Sequence, residues 1–130
     1  MASTRSRIVA NQQTGDAVQA ALIWTFPDGT TGADVPVPVA SVVKIYLEID
    51  AVQNGNVTSR FIRAVAKRGA GALSVVGAPD ALAFNDAAAA AWLVNFSQGS
   101  VQGTFNVKVT GVAATVIQWD AGLEYKIFTP

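Results

Sequence analysis

The sequence predicts an all-β protein, an antiparallel β-sandwich of the jelly-roll kind, on three observations. Short apolar segments recur along the 130 residues and are separated by turns rich in Gly, Pro, Asn and Asp. Several of these segments alternate apolar and polar side chains, which is the period of a half-buried strand. The length favours one domain over residues 1–130, and no fixed-period repeat divides it.

The first 40 residues contain one predicted strand and two irregular stretches. Residues 17–26 (AVQAALIWTF) predict a strand, and residues 1–16 ahead of it are interpreted as an extended arm. Residues 27–40 are interpreted as a Pro/Gly-rich loop or edge segment, because the alternate prolines of VPVPV cannot donate to a β-ladder.

A β-hairpin is the clearest local prediction. The strand at residues 42–51 alternates cleanly, and it is followed by Asn54-Gly55, a pair that favours a two-residue loop. If Asn54 and Gly55 are the two loop residues, Gln53 faces Asn56 and the numbers of all facing residues sum to 109, which fixes the register of the hairpin. The pairs that it predicts include Leu47 with Ile62, Tyr46 with Arg63, and Glu48 with Phe61.

Four basic side chains fall within the second strand of this hairpin: Arg60, Arg63, Lys67 and Arg68. A nucleic-acid patch would need a positive net charge, whereas nine acids balance nine bases here. The following KRGAGA lacks the glycine spacing of phosphate-binding loops. We therefore interpret the cluster as the outer face of a strand, partly neutralised across the hairpin.

The second half continues in strands. Residues 73–78 predict a short strand, and at most one helical turn precedes a strand at residues 90–97. Residues 103–111 alternate, with Phe105, Val107 and Val109 expected to point inward. Residues 114–128 predict one long closing strand, kinked or bulged at Gly122.

Composition excludes several kinds of function. The chain has no Cys and no His, so disulfides, thiolate or imidazole metal sites and Ser–His catalysis are unavailable to it, and we expect no cofactor. It has no apolar run of 18 residues and no secretory leader pattern, so neither a membrane nor secretion is expected. Only 14% of residues are charged while 51% are hydrophobic, and such a weakly charged surface predicts a homo-oligomer.

Three patterns that resemble catalytic sites are interpreted as structural. Ser41 and Lys44 match the spacing of serine acylases, but three residues along a strand place them on opposite faces. Glu48 and Asp50 share a strand face without an implied pocket. Asp120 and Glu124 are separated by about 13 Å along a strand. We expect no enzyme.

The three tryptophans, Trp24, Trp92 and Trp119, lie in apolar segments, and we expect most of them in the core or at a subunit interface. A stacking site for sugars is the alternative. The candidate interface residues are Trp92, Trp119, Arg63, Tyr46, Val35 and Val37.

Residues 42–120 resemble a β-module of tailed-bacteriophage structural proteins. The resemblance depends on Lys67-Arg68, on VGAP at residues 76–79, and on AAWLV at residues 90–94. It continues with VKVTG at residues 107–111 and IQW at residues 117–119, although Gln102-Gly103 and Ala113-Ala114 depart from the usual Asn-Gly and Ala-Gly.

The resemblance implies a virion surface protein, generally trimeric, that contacts other capsid or tail proteins. A domain of this size is expected to suit a capsid decoration protein better than a fibre with a long shaft. The alternatives are a tail-fibre or spike domain that recognises host polysaccharide, and an enzyme that acts on cell-wall sugar through Glu48 and Asp50.

Overall fold

The computed structural model describes residues 2–130 and shows an all-β sandwich of antiparallel sheets, which confirms the predicted fold class. The strands are β1 (Ala2–Thr14), β2 (Ala20–Ala21), β3 (Trp24–Thr25), β4 (Thr31–Gly32), β5 (Val35–Pro36), β6 (Ser41–Gln53), β7 (Asn56–Arg68), β8 (Leu73–Val75), β9 (Asp80–Asn85), β10 (Leu93–Gln98), β11 (Thr104–Thr110) and β12 (Ile117–Thr129). A 3-10 helix spans Ala87–Ala89. No helix in the described residues is long and apolar enough to cross a membrane.

The two sheets differ in size. The large sheet has eight strands in the order β4-β3-β1-β12-β6-β7-β8, and β9 pairs with the same edge of β7 as β8 does. The small sheet has four strands, with β10 and β2 on either side of β11 and β5 pairing with β11 as well. The small sheet packs against one face of the large sheet, and the core lies between them.

The β6–β7 hairpin has the predicted register. Gln53 pairs with Asn56, Leu47 with Ile62 and Tyr46 with Arg63, along thirteen paired positions. Asn54 and Gly55 have φ of 47° and 79°, which is the conformation that this tight hairpin turn requires.

The core consists of side chains that alternate along the long strands and meet across them. Ile8, Leu123, Leu47 and Ile62 are consecutive neighbours across β1, β12, β6 and β7, and all four are buried. Phe105, Val107 and Val109 of β11 face them from the small sheet, as predicted, and each is fully buried.

The interpretation of residues 1–16 as an extended arm is wrong for the described residues 2–14. They form β1, which pairs with β12 over thirteen positions and bridges to β3 at Val9. Ile8 and Ala10 are buried on the core face, so hydrophobic burial holds this segment in the sheet.

The predicted strand at residues 17–26 is divided between the sheets. β2 pairs with β11 of the small sheet, whereas β3 pairs with β1 of the large sheet. Leu22 and Trp24 are both fully buried, whereas Ile23 between them is 47% exposed, so the chain changes sheets at the surface with its neighbours on either side pointing into the core. Residues 27–40, interpreted as a loop or edge segment, contain the short strands β4 and β5.

The segment around Trp92 has one short helical turn, as predicted, and the following strand begins at Leu93 rather than at residue 90. The kink or bulge predicted at Gly122 is wrong. β12 keeps one register with β1 and with β6 on both sides of Gly122, so neither ladder has an extra residue there. The Arg7 side chain lies over Gly122, where a Cβ would meet its guanidinium at 2.8 Å.

Candidate functional site

The outer face of the large sheet is not covered by any other part of residues 2–130. We call it the open face; it comprises the outward side chains of β1, β12, β6, β7 and β9. Its members alternate with the core residues along each strand, so that Lys44, Tyr46, Glu48 and Asp50 are all exposed while the residues between them are buried. A sheet face of five neighbouring strands offers a broad surface on which another molecule can pack.

Apolar side chains form a strip along the β7–β9 side of the open face. Leu82 is 56% exposed and Phe84 is 60% exposed, and Phe84 meets Phe61 edge to face at 6.3 Å between ring centroids. Val57 is also exposed here, beside Phe84, whereas Val76 is exposed beyond the Arg63–Asp80 ion pair, which separates it from Leu82. Contiguous exposed apolar surface of this kind is typical of interaction sites.

A row of three bases crosses the open face at one end. The register places Arg5 opposite Lys126 and Lys126 opposite Lys44, on three adjacent strands. Of these three bases, only Arg5 lies within 4 Å of a carboxylate of the described residues, with Glu124 at 3.6 Å. Like charges placed directly opposite each other destabilise a sheet, so this basic row favours an external anionic partner.

An acidic pair crosses the same face toward the other end. Asp120 lies opposite Asp50 on neighbouring strands, and both are exposed. Asp50 accepts a hydrogen bond from Ser59 at 2.6 Å, but within residues 2–130 neither carboxylate forms an ion pair. The open face therefore has one positive end and one negative end.

A shallow groove of about 440 Å³ lies between the basic row and the β9 edge. Tyr46 is in the middle of this groove, and its partial burial together with nearby Glu48 raises the pKa of its hydroxyl. The charged side chains that line the groove are Arg5, Lys44, Arg63, Asp80, Glu124 and Lys126.

Arg63 forms an ion pair with Asp80 of β9, which lies directly opposite it. The hydrogen bond and charge of Asp80 raise the pKa of Arg63. The sequence predicted Tyr46 opposite Arg63 and partial neutralisation of the bases across the hairpin. It did not suggest Asp80, because the pairing of β9 with β7 depends on a turn whose length the sequence does not determine.

Replacing Arg63 with alanine is expected to lower the free energy of unfolding by only about 0–1 kcal/mol, because exposed ion pairs are well solvated. Urea denaturation followed by circular dichroism would measure this, with Lys67→Ala as a control on the same strand and face. A loss of several kcal/mol would mean that Arg63 is buried in the protein in solution.

The free edge of β9 is a second feature of this surface. All six residues from Asp80 to Asn85 are exposed, and within the described chain the strand pairs only with β7. The Asp86 N–H donates to Val57, which places the even-numbered residues of β9 in hydrogen-bonded pairs with β7. The N–H groups of Ala81, Ala83 and Asn85 therefore point away from the sheet.

The candidate interface residues fall into two groups. Tyr46 and Arg63 lie on the open face. Trp92, Trp119, Val35 and Val37 are each at most 2% exposed, so they cannot form an interface surface, and their assignment to one is wrong. They are buried because the two sheets and the β5 segment close over them within one chain.

The tryptophans are core residues, which is one of the two positions, core or subunit interface, that the sequence predicted for most of them. Trp92 and Trp119 meet edge to face at 6.2 Å between ring centroids, and Trp24 is fully buried. Trp119 Nε1 donates to Thr14 Oγ1 at 2.9 Å. None of the three indoles offers a surface for stacking against a sugar.

The residues that resemble catalytic patterns are separated or exposed. Ser41 is buried and its Oγ lies 3.1 Å from Thr129 Oγ1, whereas Lys44 is exposed on the opposite face. Glu48 and Asp50 both lie on the open face. Within residues 2–130, no group of three or more acidic side chains is placed to hold a metal ion.

Sequence reasoning missed Arg5 and Lys126 as members of a row with Lys44. The alternation of β6 placed Lys44 and Asp50 on the outer face, but the partners of β6 on the other side come from the C-terminal strand. No local signal gives the register between β6 and β12.

No model of a known protein family and no curated protein matches this chain.

Proposed function

We propose that this protein is a structural component of a bacteriophage particle, a capsid decoration protein that binds the head surface as an oligomer and has no catalytic activity. Its partners are copies of itself and other virion proteins. The observation that carries the proposal is the large open face with the apolar strip and the free β9 edge. A surface of this composition favours protein partners over small molecules or nucleic acid.

The resemblance of residues 42–120 to phage structural modules supports the same proposal. Its motif residues have structural positions: Lys67 and Arg68 end β7, while Trp92 and Trp119, from two separate motifs, pack on each other. The Arg68 guanidinium donates to the carbonyl of Val37 at 2.7 Å and to that of Gly71 at 3.0 Å. The motif therefore stabilises a scaffold and supplies no reacting group.

We assign the free β9 edge to the contact with the particle. An exposed, nearly uncharged strand edge is a template for an additional strand, and this strand carries only one charged residue, Asp80. The backbone carbonyl groups of a strand from a shell protein would accept hydrogen bonds from the outward N–H groups of β9. This is the common β-augmentation mode of recognition.

The test is binding to heads of the phage that encodes this chain, measured by co-sedimentation and located by cryo-electron microscopy. We expect regular occupancy of the head lattice. Ala83→Pro removes one outward N–H without touching the ladder to β7, so it is expected to weaken head binding at least tenfold. Ala83→Ser keeps that N–H and is the matched control.

Three outcomes would contradict the proposal. Protein that ignores heads altogether would overturn it, and density at the tail tip would favour the alternative, a receptor-binding fibre domain. The groove around Tyr46, with an aromatic ring among charged side chains, is the observation that favours this alternative. Release of cell-wall sugar that is lost in Glu48→Gln with Asp50→Asn would identify an enzyme.

A further inference from the structure

The charges of the open face are arranged along the strands. The basic row and the acidic pair share strands β6 and β12, since Lys44 and Asp50 are six residues apart on β6 and Lys126 and Asp120 six apart on β12. Six residues of extended strand span about 20 Å, so these opposite charges cannot reach each other within one chain. Within one chain, Lys44 therefore lies beside Lys126, and Asp50 lies beside Asp120.

We propose that a second copy of the chain packs on the open face, about a two-fold axis that lies in the interface at right angles to the strands. Such an axis reverses the strand direction of the partner. With the axis at the level of Leu47, Lys44 approaches Asp50 of the partner subunit and Lys126 approaches Asp120 of the partner subunit. A two-fold axis parallel to the strands would instead place basic row on basic row.

The same axis also matches apolar groups. It brings Val76 over Phe84 of the partner subunit and Val42 over Val52 of the partner subunit. Arg63 comes to lie over the ring of Phe61 of the partner subunit, a geometry that favours a cation–π contact. Sheets pack face to face with their strands about 30° apart, which long Lys side chains accommodate.

The area is sufficient for a stable dimer. Five strands over eleven residues present about 900 Å² per subunit at ordinary strand spacings. Standard interfaces bury about 800 Å² per partner. The pairing would cover Leu82, Phe84, Val57 and Val76, which are otherwise exposed to water.

This inference deepens the proposed function, because it names the surface through which copies of the chain associate. It differs from the trimer that the phage resemblance implies, since a two-fold contact is satisfied by two subunits. Dimerisation through the open face does not depend on binding to a capsid, so the tests of dimerisation and of head binding can succeed or fail independently.

The experiment uses Lys44→Glu and Asp50→Lys as separate variants and as a mixture. Alone, each variant places like charges across the interface twice, and its dimer dissociation constant is expected to rise on the order of 100-fold. In the mixture, the heterodimer has opposite charges at both contacts and is expected to form. Sedimentation velocity would measure the mass against the 13.5 kDa of one chain.

These variants separate association from folding. Within the chain, the new carboxylate at position 44 faces Lys126 and the new ammonium group at position 50 faces Asp120, so each change relieves a like-charge pair. Thermal stability of the monomer is therefore expected to be unchanged or higher. Lys108→Glu on the small sheet, away from the open face, is the control and should leave the dimer intact.

Four results would overturn the inference. The first is a wild-type protein that stays monomeric at about 100 μM, which is far above the dissociation constants of standard interfaces. The second is a wild-type trimer. The third and fourth are single variants that dimerise as the wild type does, and a mixture of the two variants that remains monomeric. A monomeric wild type that binds a sulfated oligosaccharide through Lys44 would assign the basic row to an acidic glycan instead.

Discussion

Replacing Trp119 with alanine is expected to lower the free energy of unfolding by about 3–5 kcal/mol, the range for truncating a large buried aromatic side chain. Trp119 is 1% exposed, packs edge to face on Trp92, and donates a buried hydrogen bond to Thr14. The substitution leaves a cavity at the centre of the sandwich and a buried hydroxyl without its donor, and both effects act in the same direction.

Two phenylalanine variants separate these effects. Trp119→Phe keeps most of the ring but removes the donor to Thr14. Trp24→Phe makes the same chemical change at a fully buried site where the indole N–H has no acceptor within the described residues. Trp119→Phe should therefore be the more destabilising of the two by about 1 kcal/mol, the net worth of an ordinary hydrogen bond.

Urea denaturation followed by far-ultraviolet circular dichroism would measure all three variants at one protein concentration, because association adds to apparent stability. A Trp119→Ala variant that loses less than about 1 kcal/mol would be incompatible with a core position, for which the expected loss is several times larger.

Gly103→Ala is expected to lower the free energy of unfolding by about 2–4 kcal/mol. Gly103 is buried with φ of 79°, a conformation that disfavours a side chain, and a Cβ there would lie 2.2 Å from the guanidinium carbon of Arg68. Arg68 would have to move, and its hydrogen bonds to the carbonyls of Val37 and Gly71 would be lost or distorted.

Gly29→Ala is the matched control, since Gly29 has φ of 86° but nothing within 4 Å of a Cβ. It measures backbone strain alone, which is about 1–2 kcal/mol. A double-mutant cycle with Arg68→Met should then show coupling at position 103, because residues in contact are not additive. Equal losses in Gly103→Ala and Gly29→Ala would mean that Arg68 is not held where the structure places it.

The parts of the fold that depend on local sequence were predictable. The Asn54-Gly55 turn fixes the β6–β7 register because two residues leave no freedom in how the strands pair. The alternation in β11 likewise identified Phe105, Val107 and Val109 as core residues. Both signals arise within a few residues of the structure that they specify.

The parts that depend on distant partners were not predictable. β1 was interpreted as an arm because its partner, β12, is at the opposite end of the chain. The apolar run at residues 17–26 gave no indication that it changes sheets between Leu22 and Trp24, since burial in either sheet requires the same residue types. The interface assignment failed at Trp92 and Trp119 for the related reason that apolar composition does not distinguish a core from a subunit contact.

The position of β12 between β1 and β6 has a consequence for folding. Twelve strands are synthesised in order, yet the last of them occupies the middle of the large sheet, with ladders on both sides. In a nascent chain the first strand can bridge to β3 at Val9, but its thirteen-residue ladder cannot form until β12 leaves the ribosome, and closure of so long a loop is slow. Until then the edges of β1 and β6 stay unpaired, which is the period when misassembly between chains is most favoured and when a chaperone would have most effect.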